Sequence, residues 1–142
     1  MIKLDYDITK STFKYVESLW FNYRDMIKKM RDIEIDVTND TDLNEDIRAK
    51  GLTSDPTSSQ VFKLDYARQN KQYRTLEDNV KAIEDVLNSL PNEYVRVARA
   101  RYMNKPSKSW YAISDETGYS ERHARRIRDM IVTATAERLG LW

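Results

Sequence analysis

Residues 113–128 read ISDETGYSERHARRIR, and their spacing decides how the chain should fold. Ile113 falls on the inward face of one helix, and Ser114 is small where a second helix would cross closely. Gly118 stands where the backbone must reverse with positive φ, which glycine adopts without a Cβ penalty. Tyr119 fills the apolar turn position, and Ser120 is a strong N-cap for the next helix. Ala124, Ile127 and Ile131 then form an inward stripe at spacings of three and four. That pattern leaves Glu121, Arg122, Arg125, Arg126, Arg128 and Asp129 on outward faces. The reading is a helix–turn–helix whose second helix presents long cationic donors, a shape suited to the major groove of B-DNA.

Working outward, residues 91–142 continue this unit. Pro91 opens a shorter helix with Tyr94, Val95, Ala98, Tyr102 and Met103 inward. Residues 104–109, NKPSKS, form a loop in which Pro106 discourages helix at Lys105. Ser109 can cap the helix from Trp110 to about Thr117. The arginine-bearing helix runs from Glu121 to about Leu139, where Gly140 supplies a stop.

Upstream lie two amphipathic stretches. The first helix should start near Thr9 to Ser11 and run to about Asp36, with Phe13, Val16, Trp20, Tyr23, Ile27 and Met30 as its seam. Leu19, Met26 and Ile33 widen that seam. Residues 37–54, rich in Asn, Asp and Thr, read as a loop with one short helical turn around Leu43 to Ala49. A second helix starts at Asp55 as N-cap with Pro56 in the first turn. It meets no further Pro or Gly until Pro91, so it could run about 34 residues, roughly 50 Å. Tyr73, Leu76, Val80, Ile83, Leu87 and Leu90 form its seam. Two such seams fit an antiparallel hairpin with coiled-coil-like packing, and equally a homodimer. The expected fold is therefore all-α: residues 1–90 as a helical hairpin with a flexible loop at 37–54, and residues 91–142 as a helix–turn–helix domain.

Charge supports the division. Of 142 residues, the net is +1, but residues 1–90 carry 14 basic and 17 acidic side chains while residues 91–142 carry 10 and 6. Basic excess gathered on one candidate helix is a better footprint for nucleic acid than the global balance. On that helix Ser120, Glu121, Arg122, His123, Arg125 and Arg126 are the candidate DNA contacts, joined by Lys108 from the loop. Arg96, Arg99, Arg101 and Lys105 are further candidates for the DNA backbone. A bidentate arginine–guanine pair would discriminate by about 1–3 kcal/mol, whereas phosphate contacts give sequence-independent, salt-sensitive affinity. The rival reading is a solvated face whose arginines pair with Asp115, Glu116, Glu121 or Asp129. The glycine and cap in register upstream favour DNA.

Other classes are disfavoured. There is no cysteine and a single histidine, His123, so neither a disulfide framework nor a transition-metal site is expected. Asp40, Asp42, Glu45 and Asp46 lack the ligand order of an EF-hand loop. No nucleophile–base–orienter set or glycine-rich phosphate loop can be assembled, so enzyme activity and cofactors are not expected. No apolar run spans a bilayer, and the N-terminus lacks a signal-peptide core, which points to a cytoplasmic protein. Trp20, Phe21, Tyr23 and Trp110 could stack on bases, but helical spacing favours core packing for Trp20 and Tyr23. Trp110 is expected in the core of the C-terminal unit.

Residues 90–140, LPNEYVRVARARYMNKPSKSWYAISDETGYSERHARRIRDMIVTATAERLG, resemble region 4 of bacterial sigma-70 factors. The pattern IxxxxGxSxxxxRxI is met by Ile113, Gly118, Ser120, Arg125 and Ile127. Taken whole, the chain is similar to RinA-type and ArpU-type transcriptional regulators of phages and prophages of Gram-positive bacteria, through Lys14–Ser18 (KYVES), Ser54–Thr57 (SDPT) and Leu90–Leu139. The resemblance implies activation of late phage genes from an upstream promoter site and DNA contact by Arg122, Arg125 and Arg126; the hairpin of residues 1–90 is expected to supply homo-oligomeric assembly or contact with RNA polymerase. The chain departs from the sigma pattern in the order of Glu121 and Arg122 and in the smaller Ala124, so the DNA sequence it reads does not carry over from sigma factors. Two other classes share such features: a small terminase subunit acting as a packaging adaptor, and a helical protein-interaction module without DNA binding.

Overall fold

The structure, a computed structural model, describes residues 8–51 and 56–142. Eight α-helices and no strand occur among the described residues: α1 Lys10–Phe21, α2 Tyr23–Thr38, α3 Thr41–Ala49, α4 Pro56–Ala67, α5 Lys71–Ser89, α6 Asn92–Ala98, α7 Trp110–Thr117 and α8 Glu121–Arg138. The all-α expectation holds. None of these helices is long and apolar enough to cross a membrane.

The two long helices expected upstream are four shorter ones. Asn22, at φ −98° and ψ 10°, leaves helical geometry and parts α1 from α2. Residues 68–70 part α4 from α5, because the Asn70 side chain accepts from the backbone N–H groups of Gln72 (2.8 Å) and Tyr73 (3.3 Å). An Asn side chain that caps a new helix competes with continuing the old one. Arg68 then fastens the turn, its Nε lying 3.2 Å from both carboxylate oxygens of Glu77. The helical turn expected around Leu43 to Ala49 within the loop at 37–54 is present and longer, as α3: Asp40 accepts from the Leu43 N–H at 2.8 Å and caps it, and it buries Leu43 and Ile47. The expected cap at Asp55 lies outside the described residues.

The chain divides into two compact units, one of residues 1–24 with 79–142 and the other of residues 25–78. The boundaries of these units fall within α2 and α5. The second unit has its own core of Val37, Leu43, Ile47, Ala67 and Tyr73, against which Met30, Ile33, Phe62 and Leu64 pack. There the Tyr73 hydroxyl donates to Glu34 at 2.6 Å.

In the first unit α1 packs against α8 and against the segment that follows α6. Trp20 is fully buried, and its indole N–H donates to the Thr135 hydroxyl at 3.0 Å, which in turn donates to the Ile131 carbonyl at 2.8 Å. Its ring lies 5.6 Å from that of Tyr102. The Tyr102 hydroxyl donates to Glu17 at 2.7 Å. Around these sit Val16, Ile83, Val86, Val97, Ile113, Ala124, Ile127, Ile131 and Val132, all buried. After α6 the chain widens into a π-helical turn, Arg99–Met103. Such a turn leaves carbonyls without helical partners. The following loop supplies them: Lys108 N–H donates to the Ala100 carbonyl at 3.2 Å and the Ser107 hydroxyl to the Arg101 carbonyl at 2.6 Å.

Trp20→Phe should therefore cost about 1–3 kcal/mol, from the lost hydrogen bond and the void together, read as a lower midpoint in urea unfolding. Alkali should act through tyrosines whose hydroxyls donate to carboxylates, buried Tyr102 and half-buried Tyr23. Burial, then the hydrogen bond to Glu17, pushes Tyr102 well above the ordinary tyrosine range, and burial with Glu84 pushes Tyr23 up to about 12. A folded-state value above the unfolded one of about 10 means that the folded state holds the proton more tightly. This contribution is intact below about pH 10 and is lost as pH rises beyond it. Unfolding free energy should decline with pH above that point, and less steeply in Tyr102→Phe.

Candidate functional site

The turn between α7 and α8 is built from side chains that satisfy its own backbone. Ser109 caps α7 by accepting from the Ala112 N–H at 3.1 Å. The helix ends at Gly118, whose φ of 79° puts it in the left-handed region where a side chain would be strained. Ser114, half-buried, donates to the Tyr119 carbonyl at 2.5 Å, and Thr117 to the Ile113 carbonyl at 2.6 Å. Ser120 caps α8, its hydroxyl accepting from the His123 N–H at 3.1 Å. Tyr119 meets His123 edge to face, ring centroids 4.8 Å apart. At the far end of α8, Gly140 takes φ 72° and Leu141 N–H closes on the Ala136 carbonyl at 2.9 Å. Ala124, Ile127 and Ile131 are all fully buried, so the inward stripe lies as its spacing implies.

Burial of that stripe fixes what α8 shows to solvent. Glu121, Arg122, Arg125 and Arg126 are exposed, and His123 is half-buried. Arg122 and Arg126, four residues apart and so on one face, carry no ion pair or hydrogen bond among the described residues. Arg125 lies 3.9 Å from Glu121, a loose pair, and its guanidinium sits 5.7 Å over the Trp110 ring. An exposed pair of this kind contributes little to stability.

Other basic residues turn out to brace the unit. Arg128, expected outward, is folded back: its Nε donates to Asp129 at 2.6 Å, one terminal nitrogen to Glu17 at 3.3 Å, and only a fifth of its side chain is exposed. Burial opposes its charge, but Asp129, with Tyr102 and Glu17 nearby, outweighs that and raises its pKa. The inward turn was not legible because Glu17 lies 111 residues away in sequence. Arg101 donates to the Lys108 carbonyl at 3.1 Å and lies 4.6 Å over Trp110. Arg96 donates to the Glu116 carbonyl at 3.1 Å, placing a cation at the C-terminal end of α7 where the helix dipole favours it. Lys108, a candidate contact, is tied by its ammonium to the Glu116 carboxylate at 2.6 Å, and that bond lowers the Glu116 pKa. Trp110, expected in the core, is only half-buried and stands among these arginines.

A family model described as "Protein of unknown function (DUF722)" matches residues 20–137. The chain belongs to the DUF722 family. No curated protein and no solved structure matches it. The matched span takes in Trp20, the π-helical turn, α7 and all of α8 up to Glu137. Thus the anchor of α1 and the exposed arginines lie within one DUF722 match.

Within this DUF722 chain the arginines of α8 should separate by role. Arg128→Ala leaves Glu17 half-buried with one partner fewer and should cost about 1–3 kcal/mol in urea unfolding. Arg122→Ala and Arg126→Ala, at exposed positions, should change stability by less than about 0.5 kcal/mol.

Proposed function

We propose that the chain is a sequence-specific double-stranded DNA-binding transcriptional activator, with α7 and α8 as a helix–turn–helix of the sigma-70 region 4 kind. The observation that carries this reading is the exposed, unpartnered pair Arg122 and Arg126 on a helix whose opposite face is locked into the core. Long cations held at the solvent-facing start of a rigid helix suit base edges and phosphates in a major groove. Glu121, Arg125 and His123 complete the set at the helix start, and Ser120 is engaged as the cap. Lys108 contributes less, because its ammonium is already tied to Glu116.

The resemblance to RinA-type and ArpU-type regulators extends the reading to late phage genes, with assembly into a homo-oligomer and contact with RNA polymerase in the host cytoplasm. The compact unit of residues 25–78 is the part available for such assembly, since it carries none of the α8 arginines.

Gel shift on DNA upstream of late phage genes, with a salt titration, tests this directly. The wild-type chain should bind a preferred duplex, with an affinity that falls steeply as salt rises. Arg122→Ala and Arg126→Ala should each weaken that complex by about 1–3 kcal/mol if they read bases, or lower the salt slope by about 1 if they hold phosphates. Lys108→Ala should change affinity less than either. Absence of binding at low salt, or equal binding to every sequence, would overturn the reading.

A further inference from the structure

Trp110, the first residue of α7, is surrounded by guanidinium groups. Arg101 lies 4.6 Å from its ring centre, Arg128 5.1 Å and Arg125 5.7 Å. Two of these cations reach onward to α1: Arg101 lies 5.9 Å over Phe21, and Arg128 5.3 Å over Phe13. The result is an alternating series, Phe21, Arg101, Trp110, Arg128, Phe13, that runs from α1 through the π-helical turn and α7 to α8 and back.

Its members are not equally fixed. Arg101 is held by the Lys108 carbonyl and Arg128 by Glu17 and Asp129. The indole between them is therefore held from two sides. Arg125 is the third cation on that indole, and half of its side chain is exposed. Among the described residues its ion pair is the 3.9 Å approach to Glu121, too loose to set a rotamer.

We propose that Trp110 is the positioning residue of the DNA interface, its braced indole holding the Arg125 guanidinium ready to read a base edge. This rests on the DNA-binding reading above. An arginine side chain forfeits substantial rotamer freedom when it is fixed, and a side chain ordered in advance forfeits less of it on binding. The indole is the strongest of the aromatic faces for a cation. Removing it leaves the charge of Arg125 in place, so general attraction to phosphates persists. What is lost is the directed contact, and so discrimination between sequences.

The test uses the full chain, a duplex that the wild type recovers from a random-sequence pool, and a scrambled duplex of equal length. Trp110→Leu should lose roughly three- to tenfold affinity for the recovered duplex. Affinity for the scrambled duplex and the salt slope should stay unchanged. Trp110→Phe, which keeps an aromatic face, should fall between wild type and Trp110→Leu. Arg125→Ala should cost little more in the Trp110→Leu background, because the two changes remove one contact. If Trp110→Leu fails to fold, the same cycle is run with Trp110→Phe and Arg125→Ala. Equal discrimination in wild type and variant, equal losses on both duplexes, or losses that simply add would each overturn the proposal alone. A wild-type chain that recovers no duplex would overturn the DNA-binding reading and this proposal with it.

Discussion

The first unit depends on one short helix finding its place against a helix more than a hundred residues away. Trp20 cannot be buried without an acceptor for its indole N–H, since an unpaired polar group in a core costs about as much as a hydrogen bond gains. Thr135 supplies that acceptor from α8. One turn earlier on α1, Glu17 accepts from Tyr102 and Arg128, and so satisfies a buried hydroxyl and a folded-back cation at once. These bonds specify which face of α1 meets which face of α8. Apolar packing alone would tolerate several arrangements.

That constraint sorts the arginines. A guanidinium that can reach a carboxylate or an aromatic ring inside the unit is drawn in, as Arg128 and Arg101 are, while Arg96 braces the end of α7 from an exposed position. One on the far side of α8 from the buried stripe has no such partner among the described residues, and Arg122 and Arg126 stay in solvent. Sequence spacing ranks these residues alike, all of them basic and off the apolar stripe. Geometry separates them because the inward reach of an arginine is long enough to cross from the flank of a helix to its neighbour. The basic surplus of residues 91–142 is thus partly spent on bracing.

Local signals were legible and long-range ones were not. Ser109, Ser120, Gly118 and Gly140 each act through the backbone within a few residues, so their roles could be read from the chain. The buried stripe on α8 follows from a fixed period. The breaks at Asn22 and Asn70 are hidden, because neither position carries a proline or glycine and the apolar seam of the first stretch runs straight past Asn22. Asp40 before Leu43 and Ile47 was a cap followed by a four-residue apolar step. The turn around Leu43 to Ala49 is legible, but the cap and the full length of α3 are masked by the surrounding Asn, Asp and Thr, which suggest a loop. The partner of α1 had no local signature at all: a Trp–Thr or Glu–Arg pair across such a distance leaves no mark in either segment. The exposed arginines of α8 were identified, while the inward turn of Arg128 and the pairing of Lys108 with Glu116 were not.

The same geometry bears on what an arginine helix can read. A helix anchored only through its own apolar stripe can still roll about its axis, and even a small roll displaces the tip of a long side chain. Directed contact with a base edge tolerates little of that. In this chain α8 is held at Thr135 near its end and at Arg128 in its middle, while the Ser120 cap and the stitched turn hold its start. Three anchors along one helix suppress rolling as well as translation. Attraction to phosphates alone would need no such restraint, since charge acts without regard to small rotations. On the proposed DNA-binding reading, bracing of this kind suits sequence-selective contact better than general affinity for the DNA backbone.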